Sequence, residues 1–154
     1  MKKLALTVGN EMMGDDAAGP LLARMMQRSP IQDWEALDGG SIPENALHII
    51  REMGPEEVLI IDAADMDLAP GELRFIGPER IEDPFLMNTH ALPLSYLVQS
   101  LREFVPKVEL LGIQPEIVAF GYPLTPKVRE AVGRVYEGLK QGELRWECLP
   151  AGTP

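Results

Sequence analysis

The chain has one cysteine, two histidines and few aromatic residues (6%) among its 154 positions. A single cysteine, Cys148, excludes an intramolecular disulfide framework and a zinc finger built on several cysteines. No apolar run approaches the roughly 20 residues that a membrane-spanning helix needs. Basic residues are also scarce, because 14 Lys and Arg stand against 24 Asp and Glu, for a net charge of −10. This balance argues against nucleic-acid binding, which relies on a basic surface.

The sequence does contain enough apolar residues (45%) and enough length for one domain with a real core. Its first apolar run, Leu4 to Val8, ends at Gly9-Asn10. Such a run is too short for a secretory signal and is typical of a first strand. We therefore expect one domain over residues 1–154, monomeric, cytoplasmic, and in contact with neither membrane nor nucleic acid.

Strand-like and helix-like segments alternate, which favours an α/β architecture. Val58 to Ile61 is apolar on both faces, as a central parallel strand is. Glu72 to Ile76 follows a Pro-Gly turn and is predicted to return beside that strand. The pattern predicts a single-domain three-layer sandwich, with a mostly parallel twisted sheet of about five strands and helices on both faces. Strands are predicted at 4–8, 34–37, 58–61, 72–76, 108–111 and 144–149, helices around 21–26, 43–53, 89–105 and 126–140, and a surface loop at 78–87.

Polar side chains gather where the predicted strands end. Asp15 and Asp16 lie in the loop after the first strand, Asp38 and Asp62 end the second and third strands, and His90 opens a later helix. In open α/β sheets, ligands bind beyond the carboxyl ends of the parallel strands. Four separate segments therefore deliver a carboxylate or an imidazole to one edge of the sheet.

Each of these residues also has an ordinary structural interpretation. Either Asp15 or Asp16 suits the cap of the following helix, a role in which asparagine serves about as well, and of the two Asp15 is the expected cap. Asp38 precedes two glycines and suits a turn, and His90 alone suits a structural histidine. Asp62 requires partners, because a buried unpaired charge is very costly. Together, two carboxylates and one histidine favour a nitrogen-and-oxygen site for a divalent transition metal.

Several motifs of other enzyme classes are missing from the sequence. Gly9, Gly14 and Gly19 are spaced by five and do not make the Gly-x-Gly-x-x-Gly dinucleotide turn. There is no Gly-Lys-Ser/Thr phosphate loop and no Gly-x-Ser-x-Gly elbow of a serine hydrolase. His48 is expected on a helix surface, and Cys148 has no histidine nearby in sequence to activate it as a nucleophile.

Five blocks resemble, in order and spacing, the hydrogenase maturation endopeptidases. The resemblance runs from Leu4 to about Leu139 and is greatest to the branch that processes the hydrogenase 3 large subunit. Thr7 departs from it, because many members have glycine there, and so does Ala17. The matching blocks are Val8-Gly9-Asn10-Glu11-Met12-Met13-Gly14-Asp15-Asp16-Ala17-Ala18-Gly19, Asp38-Gly39-Gly40-Ser41, Asp62-Ala63 with Pro70-Gly71, Thr89-His90 and Leu111-Gly112-Ile113-Gln114-Pro115.

The resemblance implies a nickel-dependent, aspartic-type peptidase. Its substrate would be the nickel-loaded precursor of a [NiFe] hydrogenase large subunit, from which it removes a short C-terminal extension. Carried over position by position, Asp16, Asp62 and His90 match the metal-contacting residues, and Asp38 matches a further acidic position needed for cleavage. The nickel is implied to arrive with the substrate, so that three protein ligands leave positions open for it.

Two other functions remain open from the residues alone. A nickel-binding chaperone that cleaves nothing would use the same ligands. A receiver-type phospho-acceptor domain also has an acidic pair after strand one and an aspartate after strand three. The receiver class further requires a lysine after the fifth strand, where Gly112-Ile113-Gln114-Pro115 stands here.

Overall fold

A computed structural model describes residues 2–77, 80 and 94–150 of the chain. Within this part, five strands form one sheet in the order β2-β1-β3-β5-β4. The first four of these pair in parallel, and β4 runs antiparallel to β5. This confirms the predicted mostly parallel sheet. The strands are β1 (Lys3–Thr7), β2 (Trp34–Asp38), β3 (Glu57–Ala63), β4 (Leu73–Phe75) and β5 (Lys107–Ile113).

Helices cover both faces of the sheet, and the last of them follows the final strand. Pro20 falls within the first turn of α1, where its missing N–H costs no hydrogen bond. Gly54 and Gly142 end two of the helices in the left-handed conformation that glycine adopts readily. Of the described residues, helical segments include α1 (Ala18–Arg28), α2 (Leu47–Met53), α3 (Leu94–Arg102) and α4 (Pro126–Gln141), and short 3₁₀ turns at Gly14–Ala17 and Pro43–Ala46.

Two apolar clusters lie on opposite faces of the sheet and make the three layers. On one face, Leu4, Leu6 and Ile60 of the sheet pack with α2 and α3. On the other, Leu59 and Ile61 pack with α1 and α4. The alternation along β1 and β3 thus places successive side chains in different clusters, as a sheet covered on both faces requires.

Two strand predictions are wrong in detail. The segment 72–76 was expected beside β3, yet β4 pairs with β5, with Leu73 opposite Ile113. The chain after β3 crosses the end of β5, where the Ala64 N–H donates to the Ile113 carbonyl at 3.0 Å, and it therefore reaches the outer edge of β5. The segment 144–149 is not a strand either, because it makes only an isolated bridge between Cys148 and Phe75.

Some expectations fall on residues that the structure does not describe. The loop predicted at 78–87 and the helix start at Thr89-His90 lie almost entirely outside the described residues. The described part of that helix, α3, begins at Leu94 and ends at Arg102. None of the described helices combines the length and the apolar character that a membrane crossing requires.

Candidate active site

The sheet order creates a crevice at the carboxyl ends of β1 and β3. β1 lies between β2 and β3. After β1 the chain forms β2 on one side of it, and then crosses over to form β3 on its other side. Such a switch point is where open α/β sheets bind their ligands. Asp62, the second-last residue of β3, is fully buried there. Asp16, in the 3₁₀ turn that follows β1, is only 2% exposed, and this turn contacts β3.

The Asp16 carboxylate is held by the loop that carries it. Its Oδ2 accepts a hydrogen bond of 2.8 Å from the Asn10 N–H. Its own backbone N–H donates to the Met13 carbonyl at 3.2 Å. These bonds fix the side chain against the end of β1 before any ligand arrives. A preorganised acceptor of this kind loses little freedom when it binds a cation or a developing positive charge.

Two glycines allow the loop after β1 to fold this tightly. Gly9 has φ +146°, and a Cβ there would lie 2.0 Å from the Asp16 carbonyl oxygen. Gly14 has φ +59°, and its Cβ would lie 2.5 Å from the Ile117 carbonyl oxygen. Any side chain at either position would push the backbone apart. The glycines therefore serve close backbone packing around Asp16, which explains why their spacing matches no nucleotide-binding turn.

Asp15 does not cap the following helix, contrary to the expectation from sequence. Its fully buried carboxylate reaches the segment after β5, about 100 positions away. Oδ2 accepts from the N–H groups of Glu116 (2.8 Å) and Ile117 (3.0 Å), and Oδ1 accepts from the Thr125 N–H (2.7 Å). The Thr125 hydroxyl lies 2.9 and 3.0 Å from the two oxygens. Asp15 is thus a structural anchor that satisfies its buried charge fully within the protein.

Asp38 lies at the end of β2 and is exposed. Its Oδ1 accepts a hydrogen bond of 2.9 Å from the Gly40 N–H, the turn geometry typical of aspartate. The hydroxyl of Thr7, the residue opposite it on β1, lies 3.5 Å from the same oxygen. Among the described residues nothing donates to Oδ2, so this oxygen remains available to accept a proton.

Gln114 is a buried residue whose role the sequence did not reveal. Its Oε1 accepts from the N–H groups of Met66 (2.7 Å) and Leu68 (3.2 Å). Its Nε2 donates to Asp65 Oδ1 (3.1 Å) and to the Pro115 carbonyl (3.2 Å). The amide thereby clamps the loop that follows Asp62 onto the end of β5. Its place in the block Leu111–Pro115 is the one sequence signal that pointed to it.

The amino ends of the strands differ from the carboxyl ends in their charged groups. Lys107 lies at the amino end of β5, 3.5 Å from Glu57 and 3.4 Å from Glu109. These two carboxylates, Glu57 foremost, raise the pKa of Lys107 above its ordinary value. Lys107 thus forms surface ion pairs at the amino ends of the strands, whereas the carboxyl ends carry the buried carboxylates of Asp16 and Asp62.

The third predicted ligand, His90, lies outside the described residues. The structure therefore brings Asp16 and Asp62 to one edge, with Asp38 on the neighbouring strand end, and leaves the histidine as a prediction. Among residues 2–77, 80 and 94–150, no group of three or more His, Cys, Asp or Glu side chains is placed to hold a metal ion. His48 is exposed on α2, as predicted.

Known proteins resemble this chain over nearly its whole length. The family model described as hydrogenase maturation protease matches residues 20–141. The chain belongs to the hydrogenase maturation protease family. It is 50% identical over 143 residues to the hydrogenase 3 maturation protease of Escherichia coli K12, covering 93% of this chain and 92% of that protein. It is 34% identical to a putative hydrogenase maturation protease of Methanocaldococcus jannaschii, over 83% and 80% of the two chains.

Solved structures of hydrogenase maturation proteases share the fold. The solution structure of the endopeptidase HycI from Escherichia coli matches with a TM-score of 0.91, 46% identity and 100% coverage of both chains. A [NiFe] hydrogenase maturation protease from Thermococcus kodakarensis matches with a TM-score of 0.81 and 25% identity over 91% and 90% of the chains. The α/β fold predicted from sequence is therefore the fold of this family.

Membership of the hydrogenase maturation protease family makes this chain a peptidase. The receiver-type alternative is thereby set aside, in keeping with Gln114 at the end of β5, where that class has a lysine. Three residues that support the site were missed from sequence: Asn10, Thr125 and Gln114. Asn10 and Gln114 lie in matching blocks that give them no specific role, and Thr125 carried the signal of a helix N-cap because it precedes a proline. Its hydroxyl instead bonds Asp15 and makes no cap within α4.

Proposed function

We propose that this chain removes a short C-terminal extension from the nickel-loaded precursor of a [NiFe] hydrogenase large subunit. The hydrogenase 3 maturation protease of Escherichia coli, its 50% identical relative, suggests the hydrogenase 3 type of substrate. The observation that carries the proposal is the pair of buried carboxylates, Asp16 and Asp62, at the switch point of the sheet. We also propose that the protein acts as a monomer in the cytoplasm.

The two buried carboxylates suit a metal ion that belongs to the substrate. Asp16 and Asp62 supply oxygen ligands, and His90 supplies a nitrogen ligand, a set that nickel accepts. Three protein ligands leave coordination positions for groups that the precursor itself provides. Recognition of nickel on the precursor would restrict cleavage to large subunits that have already received their metal.

Asp38 is the proposed acid–base residue of an aspartic-type cleavage. Its Oδ1 is oriented by Gly40 and Thr7, the residue is exposed, and no described residue donates a hydrogen bond to Oδ2. A carboxylate oriented through one oxygen is able to take a proton from attacking water with the other. Nickel on the substrate would polarise the scissile carbonyl at the same time. The Thr7 hydroxyl, 3.5 Å from Asp38 Oδ1, helps to orient this carboxylate.

The direct test incubates the chain with nickel-loaded and with nickel-free large-subunit precursor and measures the intact mass of each. We expect the nickel-loaded precursor to lose the mass of its extension and the nickel-free precursor to remain whole. Asp62→Asn should abolish the mass loss. Asp33→Asn is the matched control, because Asp33 is exposed and precedes β2 at the opposite edge of the sheet.

The same experiment separates the peptidase from the nickel chaperone. A chaperone would change the nickel content of the precursor, measured by elemental analysis, and would leave the mass of its polypeptide chain unchanged. An unchanged mass for the nickel-loaded precursor, with the parent chain folded and in excess, would contradict the proposed function.

A further inference from the structure

Exposed apolar side chains gather beside the candidate active site. Phe120 is 71% exposed, Tyr122 54% and Met12 53%. Scattered apolar residues on a surface are ordinary, but a group of them beside a site marks an interaction surface. Aromatic residues and methionine are also the types enriched at protein interfaces. We call these three residues the apolar patch.

The two loops that carry the apolar patch are joined to each other. The Gly121 N–H donates to the Met12 carbonyl at 2.8 Å. The Tyr122 N–H donates to the Ala119 carbonyl at 3.2 Å and closes a turn, in which Gly121 has φ +82°. This turn holds Phe120 at its tip, pointing away from the core. Folding alone gives no reason to hold an aromatic ring in this position.

The loop that carries Met12 also carries Asp16, one of the two carboxylates proposed to bind the nickel of the substrate. Met12 lies four positions before Asp16, and the Asp15 carboxylate fastens the loop to Glu116 and Ile117. The apolar patch is therefore continuous with the site and is preorganised by a buried network. A rigid apolar surface binds more tightly than a mobile one, because fewer side chains lose freedom on binding.

A concavity with a positive side chain adjoins the apolar patch. It has a volume of about 340 Å³ and is lined by Met12, Leu21, Leu124, Arg24 and Arg129, among others. Arg24 is paired with Glu11 at 3.0 Å. Arg129 is exposed, and no described residue accepts a hydrogen bond from its guanidinium. In a chain of net charge −10, this arginine is placed to receive a carboxylate from a partner.

We propose that the apolar patch and the Arg129 concavity dock the segment of the hydrogenase precursor next to the scissile bond. This segment would present apolar side chains to Met12, Phe120 and Tyr122, and a carboxylate to Arg129. The proposal rests on the proposed function. It accounts for the exposed aromatic ring at the tip of a fixed turn and for an unneutralised arginine beside buried carboxylates.

The test measures KM and kcat for the nickel-loaded precursor with Phe120→Ser and Arg129→Glu. Loss of an anchor at an interface of this kind weakens binding about tenfold or more, so we expect KM to rise by about tenfold while kcat stays within about twofold. The effect of Arg129→Glu should shrink at high salt. Tyr96→Ser on α3 and Arg28→Glu on α1 are the matched controls, because both residues are exposed and lie outside the two loops.

Parental KM values for Phe120→Ser and Arg129→Glu would overturn the proposal. If the parent chain cleaves no precursor, the proposed function has failed, and binding of the same precursor to parent and variants by interferometry still tests the surface. Sedimentation velocity distinguishes a second copy of this chain as the occupant. A parent dimer that Phe120→Ser dissociates, together with unchanged precursor binding, would contradict docking of the precursor.

Discussion

The carboxylate of Asp15 receives both hydrogen-bond donors of Thr125, its backbone N–H at 2.7 Å and its hydroxyl at 2.9 Å, across 110 positions of the chain. This contact ties the loop after β1 to the first turn of α4, since Thr125 is the residue before Pro126. The neighbour of Asp15, Asp16, faces the candidate active site. Asp15 therefore stabilises the fold, whereas Asp16 is kept for the candidate active site.

Asp15→Asn should destabilise the protein. The amide keeps one acceptor oxygen and turns its NH₂ group toward buried N–H donors of Glu116, Ile117 or Thr125. Leaving one or two such donors unsatisfied costs about 2–4 kcal/mol in the free energy of unfolding. Urea denaturation measures this loss. Asp33→Asn is the control and should change stability by less than about 0.5 kcal/mol, because Asp33 is exposed and has φ +72°, which asparagine tolerates.

A stability of Asp15→Asn equal to that of the parent would mean that asparagine serves as well as aspartate, as in ordinary helix capping. It would also mean that the bonds to the segment 116–125 contribute little.

Asp16→Asn and Asp62→Asn should abolish cleavage of the nickel-loaded precursor while leaving the fold intact. Two carboxylates near each other repel without a cation, and an amide removes that repulsion. At position 16 the amide oxygen still accepts the Asn10 N–H. We expect the free energy of unfolding, obtained from thermal melting, to lie within about 1 kcal/mol of the parent's or slightly above it, as at sites that trade stability for function. Precursor cleavage is followed by mass.

Asp62→Asn tests whether Asp62 belongs to the active site or only stabilises the core. If this variant melts far below the parent, Asp62 is a structural partner of the core and not a group kept for the substrate.

Metal binding should depend on pH through His90. We expect one divalent ion per chain when nickel, cadmium or zinc is supplied, measured by isothermal titration calorimetry. Affinity should fall below about pH 6, because an imidazole with a pKa of about 6.5 binds metal only when it is neutral. His90→Ala should remove most of this binding, whereas His48→Ala, exposed on α2, should not. Equal affinity in His90→Ala and the parent would exclude His90 as a ligand.

The chain should be folded without metal. Asp15 and Gln114 fasten the loops around the site through hydrogen bonds within the protein. A metal is therefore not needed to hold them, unlike in a zinc finger. Circular dichroism of the helices should stay the same after treatment with a chelator, and a loss of helical signal would show that metal is part of the fold.

Gln114→Leu should loosen the loop that follows β3. Leucine fills a similar volume but accepts no hydrogen bond, so the N–H groups of Met66 and Leu68 lose their buried partner. We expect a loss of about 1–3 kcal/mol and faster amide exchange at these two positions. Amide hydrogen exchange measures both the loss of stability and the faster exchange at Met66 and Leu68. Gln141→Leu, at the exposed end of α4, is the control. Unchanged exchange at Met66 and Leu68 would show that the Gln114 amide does not hold the loop.

Much of the fold followed from local pattern. The doubly apolar run at 58–61 is the core of β3, and the predicted helix at 126–140 is α4 with one further residue. These elements are long or strongly patterned, and their periodicity reflects which faces they bury. The short β4 was found, but its partner was not, because pattern within a strand carries no information on which edge it joins.

By itself the sequence determined the layer architecture, the family resemblance, and the placing of Asp38 and Asp62 at the ends of strands and of Asp16 in the loop after β1. Each of these depends on short segments that are recognised one at a time along the chain. Tertiary structure alone decided that Asp15 is an anchor, that Gln114 clamps the loop after Asp62, and that Phe120 stands exposed beside the site. Those roles depend on contacts between segments up to 110 positions apart. The physical reason is that a buried polar group is satisfied by whichever donor the packed layers bring to it, and the order of the chain does not specify that donor.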